Sequence, residues 1–155
     1  MNKENNELNT KPTFPILGID YGTKRIGLAV SDFKGILSTP IQTVSYSKNW
    51  GEAEIIEAIK QIIAEYNIKS ICLGLPQKFT EAQQQNIDRI TKFGEQLAQA
   101  TGLKIYYYDE SFSTKEAQNV LLSLGQNSKS SKSKIDTVAA ALLLQNFLDS
   151  INNEN

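Results

Sequence analysis

Residues Gly18–Asp32 read GIDYGTKRIGLAVSD. An apolar run ends on Asp20, a glycine-containing turn carries Lys24 and Arg25, and a second apolar run ends on Asp32. Extended upstream, FPILGID (Phe14–Asp20) is almost wholly apolar, the pattern of a strand covered on both faces of its sheet. RIGLAVSD is its partner, and the tight YGTK connection makes the pair antiparallel. ILSTPIQTVSY (Ile36–Tyr46) is again β-rich. Pro40 cannot donate to a ladder, which places this segment at a sheet edge or a bulge. The chain therefore begins as a three-stranded antiparallel meander.

The period then changes. Ile55, Ile56, Ile59, Ile62, Ile63 and Tyr66 recur at helical spacing and predict an amphipathic helix. KSICLGLP is a buried strand. Residues 80–101 predict a helix opened by a Thr80/Gln83 capping box and closed before Gly102. KIYYYDE is a strand ending on Asp109 and Glu110, followed by a helix over 113–125 with Ser113 and Glu116 as its capping box. GQNSKSSKSK reads as a flexible basic loop, and the final helix, IDTVAAALLLQNFLDSI, is apolar enough to be largely buried. A meander followed by strand–helix alternation implies an α/β fold, a mixed sheet with helices on its faces. The polar residues 1–13 are expected to form a disordered tail, 14–150 a single domain, and 151–155 a frayed end.

The chemistry is narrowed by what the chain contains. Its 155 residues suit one domain, 40% are hydrophobic and 21% charged, and the net charge of −1 offers no global positive field to nucleic acid. Any such binding has to come from local patches. There is no histidine, which removes histidine bases, Ser-His and Cys-His nucleophiles and histidine zinc sites. The one cysteine, Cys72, sits in an apolar strand and reads as a small buried hydrophobe. With no signal-peptide pattern and no apolar run of about 18 residues, a cytoplasmic protein that does not span a membrane is expected.

Three acids stand apart from those on helix faces. Asp20 ends one buried strand, Glu110 ends another, and Asp136 opens the last apolar helix. Each has an ordinary explanation: a turn residue bonding its own backbone, a solvated strand end, a charge facing the helix dipole. As a set they suit a hard cation such as Mg²⁺ or Mn²⁺, because clustered carboxylates repel one another unless a cation neutralises them. Asp32 reads instead as a strand-end or capping residue.

Four blocks in order, GIDYGTKRIGLAVSD, CLGLP, YYYDESFST and KIDTVAAALLL, resemble the YqgF/RuvX family of the ribonuclease H-like superfamily, from about Ile16 to Leu148. Members are described as pre-16S rRNA nucleases and, from their similarity to RuvC, as Holliday junction resolvases. The resemblance implies a ribonuclease H-like fold with sheet order 3-2-1-4-5. It implies catalytic, metal-binding roles for Asp20, Glu110 and Asp136. It makes a metal-dependent nuclease of precursor 16S rRNA the expected function, with four-way DNA as the second substrate and the ribosomal subunit as a further partner. Lys24 and Arg25 are then expected to meet phosphate, with Gly22 keeping the turn tight and open. Lys129, Lys132 and Lys134 are expected to clamp the nucleic-acid backbone from the basic loop.

The chain departs from the family at Ser111, where Arg is usual, and in QKFTEAQQQ, where a glycine turn is usual. Ser133 replaces the fourth acid of RuvC-type resolvases. These departures keep open a module of another class, one that binds rRNA or protein with weak catalysis. DYGT is also similar to the first phosphate loop of sugar-kinase and Hsp70-type ATPases, but those need two lobes and this length supplies one. Monomer and homodimer both remain compatible with the sequence, a dimer being needed for symmetric junction cleavage.

Overall fold

The computed structural model describes residues 11–76, 80–109 and 131–153, with residues 131–134 as backbone only. The described elements are β1 (Ile16–Tyr21), β2 (Arg25–Ser31), β3 (Ser38–Ser45), α1 (Glu52–Glu65), β4 (Ser70–Leu75), α2 (Glu81–Thr101), β5 (Lys104–Asp109) and α3 (Ser131–Asn152). The five strands form one sheet in the order β3-β2-β1-β4-β5. β1 pairs antiparallel with β2 and β2 with β3, whereas β4 runs parallel to both β1 and β5. This is the mixed five-stranded sheet expected. Pro40 satisfies both of its sequence readings: β3 is an edge strand, and its register slips by one residue beside Pro40, with Leu28 opposite Gln42 and Ala29 opposite Pro40.

Strand alternation divides the core. Leu17, Ile19, Ile26, Leu28, Ile71 and Leu73 pack against α1 and α2, through Ile55, Ile59, Ile62, Ile90, Phe93 and Leu97. Ile16, Ala29 and Cys72 point the other way and pack against Ala140, Leu144, Phe147 and Leu148 of α3. The sheet is thus covered on both faces, which is why β1, β2 and β4 read as continuous apolar runs. Cys72 is fully buried, as expected.

Helix ends follow local chemistry. Thr80 Oγ1 accepts from the backbone N–H of Gln83 at 3.2 Å and starts α2. Gly102 ends it in the left-handed region (φ 73°), its N–H donating to the carbonyl of Ala98 at 2.9 Å. The start of α3 corrects the sequence reading. The loop was expected to run through Lys134, but Ser131–Asn152 is helical, so Lys132 and Lys134 lie within α3. A Ser/Lys-rich composition suggests a flexible linker, yet no Gly or Pro interrupts this stretch, and lysine is a good helix former. The expected helix over 113–125 lies outside the described residues.

At the N-terminal side, residues 1–10 are outside the description. Pro12 is buried, and the Thr13 carbonyl accepts from Ser70 Oγ at 2.7 Å. Near the other end, Asn152 Nδ2 donates to the Gly35 carbonyl at 3.0 Å. Among the described residues no helix is long and apolar enough to cross a membrane.

Candidate nuclease site

The carboxyl ends of the parallel strands β1, β4 and β5 share one edge of the sheet, with the start of β2 and the first turns of α3. Open α/β sheets place ligands at this edge. Asp20 is the fifth residue of β1, two after Gly18 and so on the face that α3 covers. Its cross-strand partner is Gly27.

Gly27 explains how the second acid arrives. A Cβ at this position would collide with the carbonyl oxygen of Asp136, and would lie 2.6 Å from its carbonyl carbon and 3.3 Å from its Cα. The backbone of α3 therefore rests directly on β2 at Gly27, and Asp136 stands over the residue paired with Asp20. Gly18 does the same further along, where a Cβ would sit 2.8 Å from Leu144 Cβ. Two small residues on adjacent strands let α3 approach the sheet closely enough to bring the backbone of Asp136 over the residue paired with Asp20. Both acids are half-buried.

Asp136 does not open its helix. It is the sixth residue of α3, one and a half turns inside, and the first turn holds no acid. The dipole explanation, which weakens beyond the first turn, is accordingly set aside. Its carboxylate instead forms an ion pair with Arg25, whose Nε lies 2.5 Å from Asp136 Oδ2. Arg25 is the first residue of β2 and lies on the α3 face.

The basic pair is thus divided. Lys24 is exposed at the turn, and its carbonyl accepts from the N–H of Tyr46 at 3.0 Å, which ties the turn to the end of β3. Gly22 makes the turn possible, because a Cβ there would strike the carbonyl oxygen of Arg25.

Asp32, at the far end of β2, behaves as the sequence suggests. Its Oδ1 accepts from the N–H groups of Ile36 (2.7 Å) and Leu37 (3.2 Å). Desolvation is the largest single influence and opposes its ionisation, but the backbone N–H groups of Ile36, Leu37 and Gly35 together outweigh it and hold the carboxyl below the usual aspartate range. Gln145 locks the same hairpin onto α3, accepting from Ser38 N and donating to the Ile36 carbonyl.

Of the sequence-predicted residues, Asp20, Lys24, Arg25 and Asp136 meet at one edge. Glu110 and Lys129 lie outside the described residues, as does Ser111, and for Lys132 and Lys134 only the helical backbone is described. Among the described residues no group of three or more acids, cysteines or histidines forms a cation cage. β5 does approach the same face: Tyr106 and Tyr108 pack on Phe147 of α3, with ring centroids 5.9 and 5.6 Å apart. Gly27 and the Arg25–Asp136 pair escaped the sequence reading. The signal for Gly27 was present, a glycine inside an otherwise apolar strand, which marks close backbone approach.

A five-stranded mixed sheet in the order 3-2-1-4-5 with helices on both faces is a ribonuclease H-like fold. A family model, RuvX, described as Holliday junction resolvase, matches residues 15–150, and the chain belongs to that family. Two similar curated relatives carry the name "Putative pre-16S rRNA nuclease". One, from Lactococcus lactis subsp. lactis (strain IL1403), is 37% identical over 86% of this chain and 93% of its own length. The other, from Rickettsia peacockii (strain Rustic), is 34% identical over 92% of this chain and 90% of its own. Among solved structures, T. thermophilus RuvC in complex with Holliday junction substrate aligns with a TM-score of 0.57 at 14% identity, covering 89% of this chain and 96% of that one. Another Thermus thermophilus RuvC structure gives 0.52 at 15% identity, covering 90% and 97%. At that identity the likeness concerns the fold alone.

Proposed function

We propose that this chain is a cytoplasmic, divalent-metal-dependent phosphodiester nuclease acting on the 5′ end of precursor 16S rRNA, with residues 14–150 as its single catalytic domain. The observation that supports the reading is the backbone of Asp136 lying on Gly27, the cross-strand partner of Asp20. The names of the curated relatives supply the substrate.

The donor set fits a hard cation. Both acids are half-buried, and the carboxylate of Asp136 already stands against a positive group. Their oxygens match what Mg²⁺ or Mn²⁺ takes. Asp20 and Asp136 would hold the ion, with Glu110 as the third acid. When bound, the metal would supply an activated water and stabilise the leaving oxygen. Such chemistry needs no protein base, in keeping with a chain that has no histidine.

The chain's own residues do the rest. Gly22 and Gly27 set the turn and the helix, so the acids are held by buried elements rather than by loops. Lys24 offers an exposed ammonium at the site's rim, and Lys129 together with Lys132 and Lys134 of α3 would hold the phosphate backbone.

The deciding experiment compares cleavage of a precursor rRNA fragment, a single-stranded RNA and a four-way DNA junction, each with Mg²⁺, Mn²⁺ or EDTA. Metal-dependent cutting of the precursor fragment near the mature end is expected. Junction cleavage by a homodimer is the second reading, favoured by the description of the matching family model. Binding of all three with no cleavage under any metal would replace both by a binding module.

A further inference from the structure

The Arg25–Asp136 pair joins residues 111 positions apart, at the edge where the candidate cation ligands meet. Arg25 Nε is committed to Asp136 Oδ2, and among the described residues this is the one hydrogen bond of its side chain. Among the described residues, its two terminal amino groups donate to no other side chain or carbonyl. The side chains are 35% and 23% exposed, so the pair is partly desolvated yet open to an entering ligand.

These facts set two positive charges against one carboxylate. The guanidinium stays charged at any working pH. A divalent ion on Asp136 would stand roughly 5–6 Å from it. Even at the dielectric of water, that repulsion corresponds to about a tenfold loss in metal affinity. A phosphodiester is the opposite kind of ligand, an acceptor that matches the planar fork of arginine in a two-pronged grip.

We propose that Arg25 is a displaceable counter-cation for Asp136: a divalent ion competes with it for the carboxylate, and a nucleic-acid phosphate draws it away, so that substrate and metal favour each other's binding. This rests on the reading of Asp20 and Asp136 as cation ligands. The coupling is reciprocal, so the factor by which nucleic acid tightens the metal is the factor by which the metal tightens nucleic acid. Arg25 acts here as a positioning residue, through Asp136 and through the phosphate. The arrangement keeps the site weakly metallated until substrate arrives.

The test is calorimetric titration of the full chain with Mn²⁺ alone, for wild type, Arg25→Gln, Arg25→Lys and Asp136→Asn. Asp136→Asn should weaken binding at least tenfold. Arg25→Gln should tighten it about tenfold, and Arg25→Lys, which keeps the charge, should stay within about threefold of wild type. In fluorescence anisotropy with a short labelled single-stranded RNA, checked on a gel to be intact, Mn²⁺ should tighten wild-type binding. That gain should shrink several-fold in Arg25→Gln. If Arg25→Gln fails to show a wild-type melting transition, Arg25→Met takes its place with the same expectation. Unchanged or weaker Mn²⁺ binding on loss of the Arg25 charge, with Asp136→Asn still impaired, overturns the counter-cation role and leaves the cation site standing. Wild type and Asp136→Asn binding Mn²⁺ equally, or Mn²⁺ leaving RNA binding unchanged in both, removes the site itself and the proposal with it.

Discussion

Gly27→Ala adds one methyl group at the point where α3 touches the sheet. No positive φ is involved at Gly27, so the whole effect comes from space. The new Cβ would begin 2.6 Å from the carbonyl carbon of Asp136, whereas carbon atoms rest about 3.5 Å or more from non-bonded neighbours. The obstacle is helix backbone, which has no rotamer to change, so α3 must lift by roughly 1 Å. Behind Asp136 lie Ala139, Ala140, Leu143 and Leu144, all at most 5% exposed, and lifting the helix opens gaps beneath them. Overpacking of this kind costs about 1–3 kcal/mol. For a chain of this size about 2 kcal/mol lowers the melting temperature by roughly 4–8 °C.

Because the collision is with Asp136 itself, Gly27→Ala should also weaken Mn²⁺ binding and reduce metal-dependent cleavage more than its lost stability explains, measured well below the melting transition. Gly18→Ala is the informative comparison. It meets Leu144 two turns further along the helix and should cost similar stability with a smaller effect on the metal. At Gly51, the N-cap of α1, an added Cβ comes no closer than 3.6 Å to the side chain of Glu54, and alanine there should leave Mn²⁺ binding near wild type whatever the poorer cap costs in stability. A Gly27→Ala protein that melts within about 1 °C of wild type and binds Mn²⁺ unchanged would refute the contact between β2 and α3 as the device that brings the two acids together.

Asp20→Asn should abolish metal-dependent cleavage while preserving the fold, read by a cooperative melting transition in EDTA; wild-type turnover in that variant would remove Asp20 from the site. Replacing Lys129, Lys132 and Lys134 together by alanine should flatten the dependence of log K on log salt for nucleic-acid binding by about two units, read by anisotropy across a salt series. Asp32 should contribute stability that is present above its unfolded pKa of about 3.9 and is lost as pH falls through its lower folded value. Asp32→Asn should therefore melt below wild type at pH 7, with the gap closing towards pH 3.

Strands β1, β2 and β4 were legible because burial on both faces writes itself as continuous apolar sequence, and the ends of α2 because Thr80 and Gly102 carry local capping chemistry. Pro40 announced both the edge and the irregularity, since a missing N–H constrains the ladder wherever the strand goes. The beginning of α3 was misread for a related reason. Composition reports what a segment tolerates, and serine and lysine tolerate a helix as readily as a loop. The Arg25–Asp136 pair could not be read at all, since nothing local links two residues 111 apart until the sheet and helix are assembled. Gly27 lies between these cases: its sequence context signals close approach but does not say what approaches.

The depth of Asp136 in its helix matters more than its nearness to the helix start. An aspartate at the N-cap spends a carboxylate oxygen on the unpaired N–H groups of the first turn. In the second turn those groups are already bonded to carbonyls four residues back, so the lone pairs of Asp136 are available to something outside the helix. In this fold that partner is Arg25. The same depth makes the acid rigid, because Ile135 and Ala139 on either side of it are at most 8% exposed and its own backbone rests on Gly27. A carboxylate on a frayed first turn would have to be ordered at each binding event. Here burial of the helix has already ordered it, and the Ser/Lys-rich residues before it can vary without moving it.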